Sequence, residues 1–474
     1  MIGAGRMRRE RKNDCNMTEG APARKLFFFA APMILGNLFQ QLYNMADSVI
    51  VGQFAGVDAL AAVGASYALT TVFVMLAIGG GNGSAVVTAQ YLGAKRYREL
   101  KTSVSTALTA FLALGILLAA AGYFGSGMIL TALKTPENIL GMARQYLNIY
   151  FAGLPFLFLY NVLASMFNAL GDSKTPLYLL IFSSVVNVGL DIWFVAGFSM
   201  GVAGVAIATV IAQGTAAVIS FLLLVRKLRG YEEPDGSGVE AGDKLPDISY
   251  LRGKLFDADM LAHMVKMAIP TMLQQSIVSV GMLLVQSVIN RFGSDVLAGY
   301  TAAGRIESIC IVPMIAAGNA VATFTAQNVG AGKYERVREG YRSAYGLVFG
   351  FAAVICIAVL LSRKALIGMF LDGAENAAAY ETGISYLSFI AFFYALIGLK
   401  AITDGVLRGS GDVGVFMAAN LINLSIRVAA ANLLAPVLGA AAVWYAEPMG
   451  WAVNYLISFL RYKSGKWSTK KLIS

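Results

Sequence analysis

Long apolar runs separated by short polar loops fill most of the chain. The first run, from Leu26 to Phe54, contains a single charged residue, Asp47. A straight helix needs about 20 residues to cross the hydrocarbon core of a bilayer, so runs of this length predict membrane-spanning helices. Several runs are longer, which predicts tilt or kinks. The predicted spans number twelve: 26–54, 59–90, 101–124, 139–170, 174–197, 201–226, 262–291, 298–328, 337–361, 379–408, 412–435 and 439–461.

Composition points to an integral membrane protein. Of the 474 residues, 57% are hydrophobic and only 14% are charged, against a charged share of about 25% in soluble domains. The formal net charge of +10 would suggest nucleic acid in a soluble protein, but basic residues also collect in the loops of membrane proteins, so no nucleic-acid partner is expected. Cys15, Cys310 and Cys356 are far apart and predict neither a disulfide framework nor a zinc site.

Lysine and arginine are distributed unequally between the two sets of loops. Of the 37 such residues, 28 lie at the termini, in the linker after the sixth span and in the loops on that side, whereas 4 lie in the opposite loops. Because cytoplasmic loops carry the excess of positive charge, both termini and the linker are predicted to be cytoplasmic. We expect a multi-pass protein of the plasma (inner) membrane, with cytoplasmic segments 1–25 and 462–474.

The two halves of the chain resemble each other. A linker at 227–260, rich in charge, Gly and Pro, separates a lobe at 26–226 from a lobe at 261–461. TAQYLGAKRY at 88–97 and TAQNVGAGKY at 325–334 agree at six of ten positions. Each half has an even number of spans, so the repeats share one orientation. The expected fold is all-α, with twelve transmembrane helices in two six-helix lobes related by a pseudo-two-fold axis along the membrane normal, which suits a rocking transporter.

Ionisable residues inside spans are costly and mark functional sites by default. Besides Asp47, the fifth span contains Asn187 and Asp191, which are four residues apart and so lie on one helix face. The carboxylate and carboxamide oxygens of these three residues suit a hard cation such as Na⁺. Desolvation and mutual repulsion of two carboxylates also favour a retained proton. The alternative is that they are helix-end groups that reach water.

Several motifs together resemble the multidrug and toxic compound extrusion (MATE) family, over residues 24–462. They are PMILGNLFQQLYNMADSVIVG at 32–52, TAQYLGAKRY, ALGDSKTP at 169–176, NVGLD at 187–191, GVAGVAIATVIAQG at 201–214 and AVWYAEPMGW at 442–451. The resemblance implies a cation site that exchanges H⁺ or Na⁺ at Asp47, Asn187, Asp191 and Thr209. It also implies that Pro32 lets the first helix bend. By physics alone, Pro32 could kink a helix or begin one.

Other polar groups carry weaker predictions. Gln40, Gln41 and Asn44 lie one or two turns from Asp47 and are candidate substrate contacts in a central cavity. The glycine run 79–83 lacks the spacing of a phosphate loop and predicts close helix packing.

Charged residues of the second half have structural interpretations. Arg305 and Glu307 are predicted to be a structural pair or pore-mouth contacts. Snorkelling to the cytoplasmic surface is the expected explanation for most of a second charged cluster. That cluster consists of Lys400, Asp404, Arg408 and Asp412.

Three segments of the second lobe lack acidic residues. The span 262–291 contains no Asp or Glu, nor does 382–403, and NLSIR at 423–427 places Arg427 where NVGLD has its aspartate. A cation would be repelled there unless the arginine were paired. Coupling is therefore expected from the N-terminal lobe alone.

Three functional classes compete. The expected one is a cation-coupled (H⁺ or Na⁺) antiporter that exports amphipathic, often cationic compounds by alternating access. The alternative is a flippase for a lipid-linked cell-envelope precursor, which needs more basic residues within its spans than Lys400 and Arg427. A scaffold does not explain paired carboxylates, and one histidine, His263, with no nucleophile constellation argues against an enzyme. The expected partners are a small molecule, a coupling cation and membrane lipid, for a monomer without a cofactor.

Overall fold

The computed structural model describes residues 16–132, 135–231, 254–373, 376–470 and 472–473. Within these ranges the chain is helical and contains no strand. Cys15, most of the predicted segment 1–25 and most of the linker 227–260 lie outside the described residues.

The first half contains α1 (Pro22–Ile50), α2 (Val57–Gly93), α3 (Tyr97–Ala132), α4 (Glu137–Ala152), α5 (Leu154–Ala169), α6 (Lys174–Asp191) and α7 (Gly201–Leu228).

The second half contains eight further helices. They are α8 (Ala258–Ile289), α9 (Ser294–Cys310), α10 (Val312–Gly330), α11 (Tyr334–Gly368), α12 (Ala377–Ile390), α13 (Tyr394–Ser410), α14 (Val413–Leu438) and α15 (Ala441–Lys463). Among the described residues, nine helical stretches are long and apolar enough to cross a membrane, and α4 with α5 makes a tenth if this bent pair is one span. The nearly all-helical membrane fold is therefore confirmed, whereas the count of twelve spans stays a prediction.

Three predicted spans are interrupted. The span 139–170 bends by 51° between α4 and α5, and 298–328 breaks between α9 and α10. Pro155 and Pro313 lie in the first turn of the helix after each break, and a proline cannot donate the backbone hydrogen bond that would continue the preceding helix. The span 379–408 breaks at the 3₁₀ turn Ala391–Phe393, and nothing in the local sequence explains that break.

Contacts divide the chain into two compact units whose boundaries fall inside helices. The N-terminal unit is Leu35–Met272, and the C-terminal unit combines the chain up to Ile34 with Leu273–Ser474. The boundaries therefore divide α1 and α8. The predicted lobes, 26–226 and 261–461, stay a prediction. The units differ from them because the beginning of α1 belongs to the C-terminal unit and the beginning of α8 to the N-terminal unit.

The beginning of α1 packs in the C-terminal unit. Leu26 and Phe29 are buried in the same hydrophobic cluster as Phe324. Just before α1, the Met17 amide donates to Gln327 Oε1 at 3.0 Å, and its carbonyl accepts from the Asn328 side chain at 3.2 Å. Both partners belong to the repeated motif at 325–334, which therefore holds the chain entering α1.

The beginning of α8 packs in the N-terminal unit. The Asp257 amide donates to Thr106 Oγ1 at 3.1 Å just before the helix. A Cβ atom on Gly79 would lie 2.8 Å from Met272 Cα, and one on Gly83 would lie 2.5 Å from Ala268 Cα. The backbones of α2 and α8 are thus in direct contact, which confirms that the glycine run serves close helix packing.

Pro32 lies inside α1, ten residues after the first residue of the helix, and it is Pro22 that begins the helix. The helix-start alternative for Pro32 is therefore wrong, because the helix begins at Pro22, ahead of the predicted apolar run. Its role as a bend stays a prediction. Pro32 leaves one carbonyl of the preceding turn without its helical donor, two residues before the boundary between the units.

Candidate functional site

Three helices of the N-terminal unit bring the predicted cation-site residues together. Asp47 lies in the last turn of α1, and Asp191 is the last residue of α6. A π-helical turn follows each helix, at Val51–Ala55 and Ile192–Gly197, and the two turns pack against one another. Such turns widen a helix locally and occur frequently at functional sites. Their contact places the ends of α1 and α6 side by side.

The predicted residues form one cluster. The carboxyl groups of Asp47 and Asp191 are close enough to interact electrostatically. With its carboxamide in the orientation that satisfies both atoms, the side-chain nitrogen of Asn187 donates to Asp191 Oδ2 at 3.1 Å, and its oxygen accepts from the Thr209 amide at 3.2 Å. Asp191 and Asn187 are 0% and 1% exposed, and Asp47 is half-buried. The structure thus brings all four predicted residues together.

The proximity of the two carboxyl groups has a chemical consequence. Two ionised carboxylates would repel each other here, so the pair favours a proton on one of them. Oδ1 of Asp47 and Oδ1 of Asp191 are buried and have no partner among the described residues. Such acceptors are costly to bury, by about 1–3 kcal/mol each. The cluster therefore has the capacity to take up a further proton or another hard cation.

The donor set limits which cation fits. Carboxyl, carboxamide and hydroxyl oxygens suit H⁺ and Na⁺. The Thr209 hydroxyl donates to the Val205 carbonyl at 3.0 Å. Among the described residues there is no group of three or more His, Cys, Asp or Glu side chains that could hold a metal ion.

Two tyrosines belong to the cluster and were not predicted. The Tyr43 hydroxyl accepts from the Asn187 side chain at 3.2 Å. Tyr146 of α4 is 7% exposed and interacts electrostatically with Asp47 and Asp191. Tyr43 lies four residues before Asp47, a spacing that places both on one helix face, and this signal could have identified it. Nothing in the sequence around Tyr146 distinguishes it from other tyrosines.

The candidate substrate residues lie on α1, before the cluster. Gln41 and Asn44 are exposed, Gln40 is half-buried, and Gln40 Nε2 donates to Asn44 Oδ1 at 3.3 Å. Their role in binding substrate stays a prediction.

The predicted pairing of Arg305 with Glu307 is wrong. Arg305 is exposed, whereas Glu307 hydrogen-bonds the hydroxyl of Tyr386. No ion pair joins Arg305 to Glu307 in the described part of the chain. Residues two apart on a helix point in different directions, which explains why the two separate.

Snorkelling does not explain the carboxylates of the charged cluster at 400–412. Asp404 and Asp412 are 5% and 3% exposed. Lys400 Nζ lies 3.1 Å from Asp404 Oδ2, and Arg461 pairs with Asp412. The carboxylates are therefore held inside the protein by basic partners, and that interpretation is wrong for them. The sequence could not show it because Arg461 lies two helices away.

Comparison with known proteins gives the family. The profile described as MatE matches residues 32–193 and 270–433. The chain is 31% identical to "Probable multidrug resistance protein YpnP" of Bacillus subtilis (strain 168) over 97% of this chain and 99% of that protein. It is 29% identical to "Probable multidrug resistance protein YoeA" of the same organism over 95% of each.

A solved structure has the same fold. It is entitled "Outward-facing conformation of a multidrug resistance MATE family transporter of the MOP superfamily", and it aligns with a TM-score of 0.84 at 22% identity, over 96% of this chain and 98% of that one. At that identity the likeness establishes the fold alone. The profile match and the relatives confirm the resemblance that the motifs indicate. The chain belongs to the MatE family of multi-pass membrane transporters.

Proposed function

We propose that the protein is a cation-coupled antiporter that exports amphipathic, often cationic small molecules from the cytoplasm by alternating access. The observation that supports this proposal most is that the half-buried Asp47 interacts with the fully buried Asp191. Two carboxyl groups in contact must retain a positive partner, because two uncompensated charges in this place are strongly unfavourable. The names of the relatives YpnP and YoeA support drugs as the substrate class.

The pair couples the movement of the ion to that of the substrate, because the two carboxyl groups cannot both be left without a positive partner. When a proton leaves one carboxyl group, a second cation must replace it or the two carboxylates repel each other. A cationic substrate and the coupling ion therefore compete for the same negative charge. Exchange follows if the ion is loaded from outside and the substrate from the cytoplasm.

Two coupling ions are compatible with the site. The proximity of the two carboxyl groups favours H⁺, since one proton relieves their repulsion. The buried, unpartnered Oδ1 atoms of Asp47 and Asp191 favour Na⁺, for which oxygen ligands suffice. We place H⁺ first because a proton relieves the repulsion without further ligands.

The flippase alternative gains no support from the basic residues within the helices. A pyrophosphate group needs cations that are free to bind it. Arg427 donates to Glu447 Oε1 at 2.6 Å. Lys400 donates to Asn420 Oδ1 at 3.0 Å and lies 3.1 Å from Asp404. Both candidates are thus engaged by carboxylates of the protein itself.

The test is dye counterflow in proteoliposomes, with a panel of cationic dyes under separate H⁺ and Na⁺ gradients. We expect one gradient to drive dye accumulation, and Asp191→Asn to abolish it. Asp58→Asn is the matched control, because Asp58 is an exposed aspartate in the first turn of α2. Dye movement that needs neither gradient, or that survives Asp191→Asn, would contradict the antiporter.

We further propose that both termini and the 227–260 linker are cytoplasmic, as the distribution of 28 against 4 basic residues indicates. A single cysteine engineered in the linker should react with an impermeant maleimide only after the cells are permeabilised. Labelling of intact cells would reverse the orientation.

A further inference from the structure

Four helices of the C-terminal unit bring a second pair of carboxyl groups together. Glu307 of α9 and Glu447 of α15 both contact the hydroxyl of Tyr386 of α12, which hydrogen-bonds Glu307 and lies 3.2 Å from Glu447 Oε2. Arg427 of α14 donates to Glu447 Oε1 at 2.6 Å. The side chains of Arg427 and Glu447 are 14% and 6% exposed. Tyr386 is fully buried, whereas Glu307 is half-buried.

These contacts favour a proton besides that of the tyrosine. A tyrosine hydroxyl has one hydrogen to donate, yet both carboxyl groups lie within hydrogen-bond distance of it. Because Glu447 is ion-paired with Arg427, a second proton is best placed on Glu307. With that proton, Glu307 has a hydrogen to donate to Tyr386, and Tyr386 has its own for Glu447. Ionising both glutamates beside one arginine would leave a buried charge without a partner.

The surroundings of Glu307 contain few groups that could change this proton count. The groups that interact electrostatically with it come from five helices. Glu447 is the one anion and Arg427 the one cation among those described. The others are three tyrosines and a cysteine that are neutral in their ordinary state. They are Tyr300, Cys310, Tyr386 and Tyr394.

Arg427 retains an unused donor beside an unused acceptor. Its Nε and Oδ1 of Asn423, one turn earlier on α14, are buried without a partner in the described chain. Asn423 is 9% exposed. Gly450 of α15 provides the space, since a Cβ there would lie 2.2 Å from Asn423 Oδ1 and 2.6 Å from Arg427 Cγ. The unused N–H allows Arg427 to engage a second carboxylate oxygen when Glu307 is ionised.

We propose that Glu307, Tyr386 and Glu447 form a second proton-binding site, in which Glu307 carries the proton and exchanges it during the transport cycle. Arg427 stays ion-paired with Glu447 throughout. The expectation of coupling from the N-terminal lobe alone assumed an unpaired Arg427, and the ion pair with Glu447 removes that basis. The exchange rests on the proposed antiport, whereas the presence of the proton does not.

The presence of the proton is tested by infrared spectroscopy of the purified protein. In an Asp47→Asn/Asp191→Asn background, in which the aspartate pair cannot contribute, we expect a protonated-carboxyl C=O band at neutral pH that is lost on adding Glu307→Gln, whose amide can still donate to Tyr386. Glu381→Gln, an exposed position on the same helix as Tyr386, should leave the band unchanged. If Glu307→Gln does not fold, Tyr386→Phe should shift the band to higher wavenumber. An unchanged band in the folded variant would overturn the proposal.

Exchange is tested by the steady-state dye gradient in proteoliposomes with the membrane voltage clamped at zero. Each coupled proton contributes about tenfold of dye accumulation per pH unit. With one proton from each unit, we expect about 100-fold per pH unit for the wild type and about tenfold for Glu307→Gln. An unchanged slope in Glu307→Gln would overturn the exchange. A wild type that moves no dye under either gradient would contradict the antiporter instead.

Discussion

Substitution of Gly83 by alanine should push two helices apart within the N-terminal unit. A Cβ there would lie 2.5 Å from Ala268 Cα and 2.6 Å from Ala268 N, whereas carbon atoms in ordinary contact are about 3.5–4.0 Å apart. The contact is between backbones, so no side chain can rotate away. We therefore expect α2 and α8 to separate by roughly 1 Å around Gly83.

The expected cost follows from the same contact. Forcing one methyl group into a packed interface costs about 1–3 kcal/mol, and the higher helix propensity of alanine returns up to about 1 kcal/mol. Separation at Gly83 also opens the contact of Gly79 with Met272, one turn earlier. We expect a net loss of about 1–2 kcal/mol, which corresponds for a chain of this size to a melting temperature lower by about 1–4 °C.

The assay is size-exclusion chromatography of detergent-solubilised protein after stepwise heating. Gly64→Ala on the same helix is the matched control, because a Cβ at Gly64 would have nothing within 4 Å. It should melt at or slightly above the wild-type temperature. Equal melting of Gly83→Ala and Gly64→Ala would refute the argument that the glycine run exists for contact with α8.

Three further predictions concern charged residues. Asp47→Asn and Asp191→Asn should each abolish gradient-driven dye export without lowering the melting temperature, because each removes a buried charge, and wild-type export by either would contradict a coupling role. Asp404→Asn should retain most transport but melt earlier, since Lys400 loses its charged partner 3.1 Å away, and transport loss equal to that of Asp47→Asn would contradict it. Burial alone would raise the pKa of Asp172, in the loop before α6, but Lys227 and Thr175 hold this pKa below its ordinary value. That stabilisation is present above the ordinary pKa of about 4 and is lost as the pH falls below it, so acidification should lower the melting temperature of the wild type more than that of Asp172→Asn.

The N-terminal site was predictable because its signal is local. A carboxylate in an otherwise uncharged apolar run is costly, and the four-residue spacing of Asn187 and Asp191 fixes their common helix face. Thr209 has no such signal, and only the family resemblance identified it. The cluster itself depends on helices that lie far apart in the sequence.

The carboxyl pair of the C-terminal unit was missed for a physical reason. The second lobe was compared with the first at equivalent helices, whereas Glu307 and Glu447 lie in other spans. Each is an acid within an apolar run, the same signal that marks Asp47. What the sequence cannot show is that Tyr386, 61 residues from Glu447, joins them. The division of α1 and α8 between units is equally invisible, because helical periodicity continues across both boundaries.

Charge counting distinguishes the two carboxyl pairs. We compare the two pairs when each pair holds one proton. Asp47 and Asp191 then retain one negative charge between them, among neutral tyrosine, asparagine and threonine side chains. The one negative charge of Glu307 and Glu447 is balanced by Arg427. Only the N-terminal pair therefore attracts a further cation in its protonated state. Loss of the proton from the N-terminal pair leaves two negative charges for a cationic substrate to neutralise. Loss of the proton from the C-terminal pair leaves one net negative charge, because Arg427 balances the other. A cationic substrate should thus compete with the ion at Asp47 and Asp191, and the C-terminal pair should add protons to the cycle without binding the substrate.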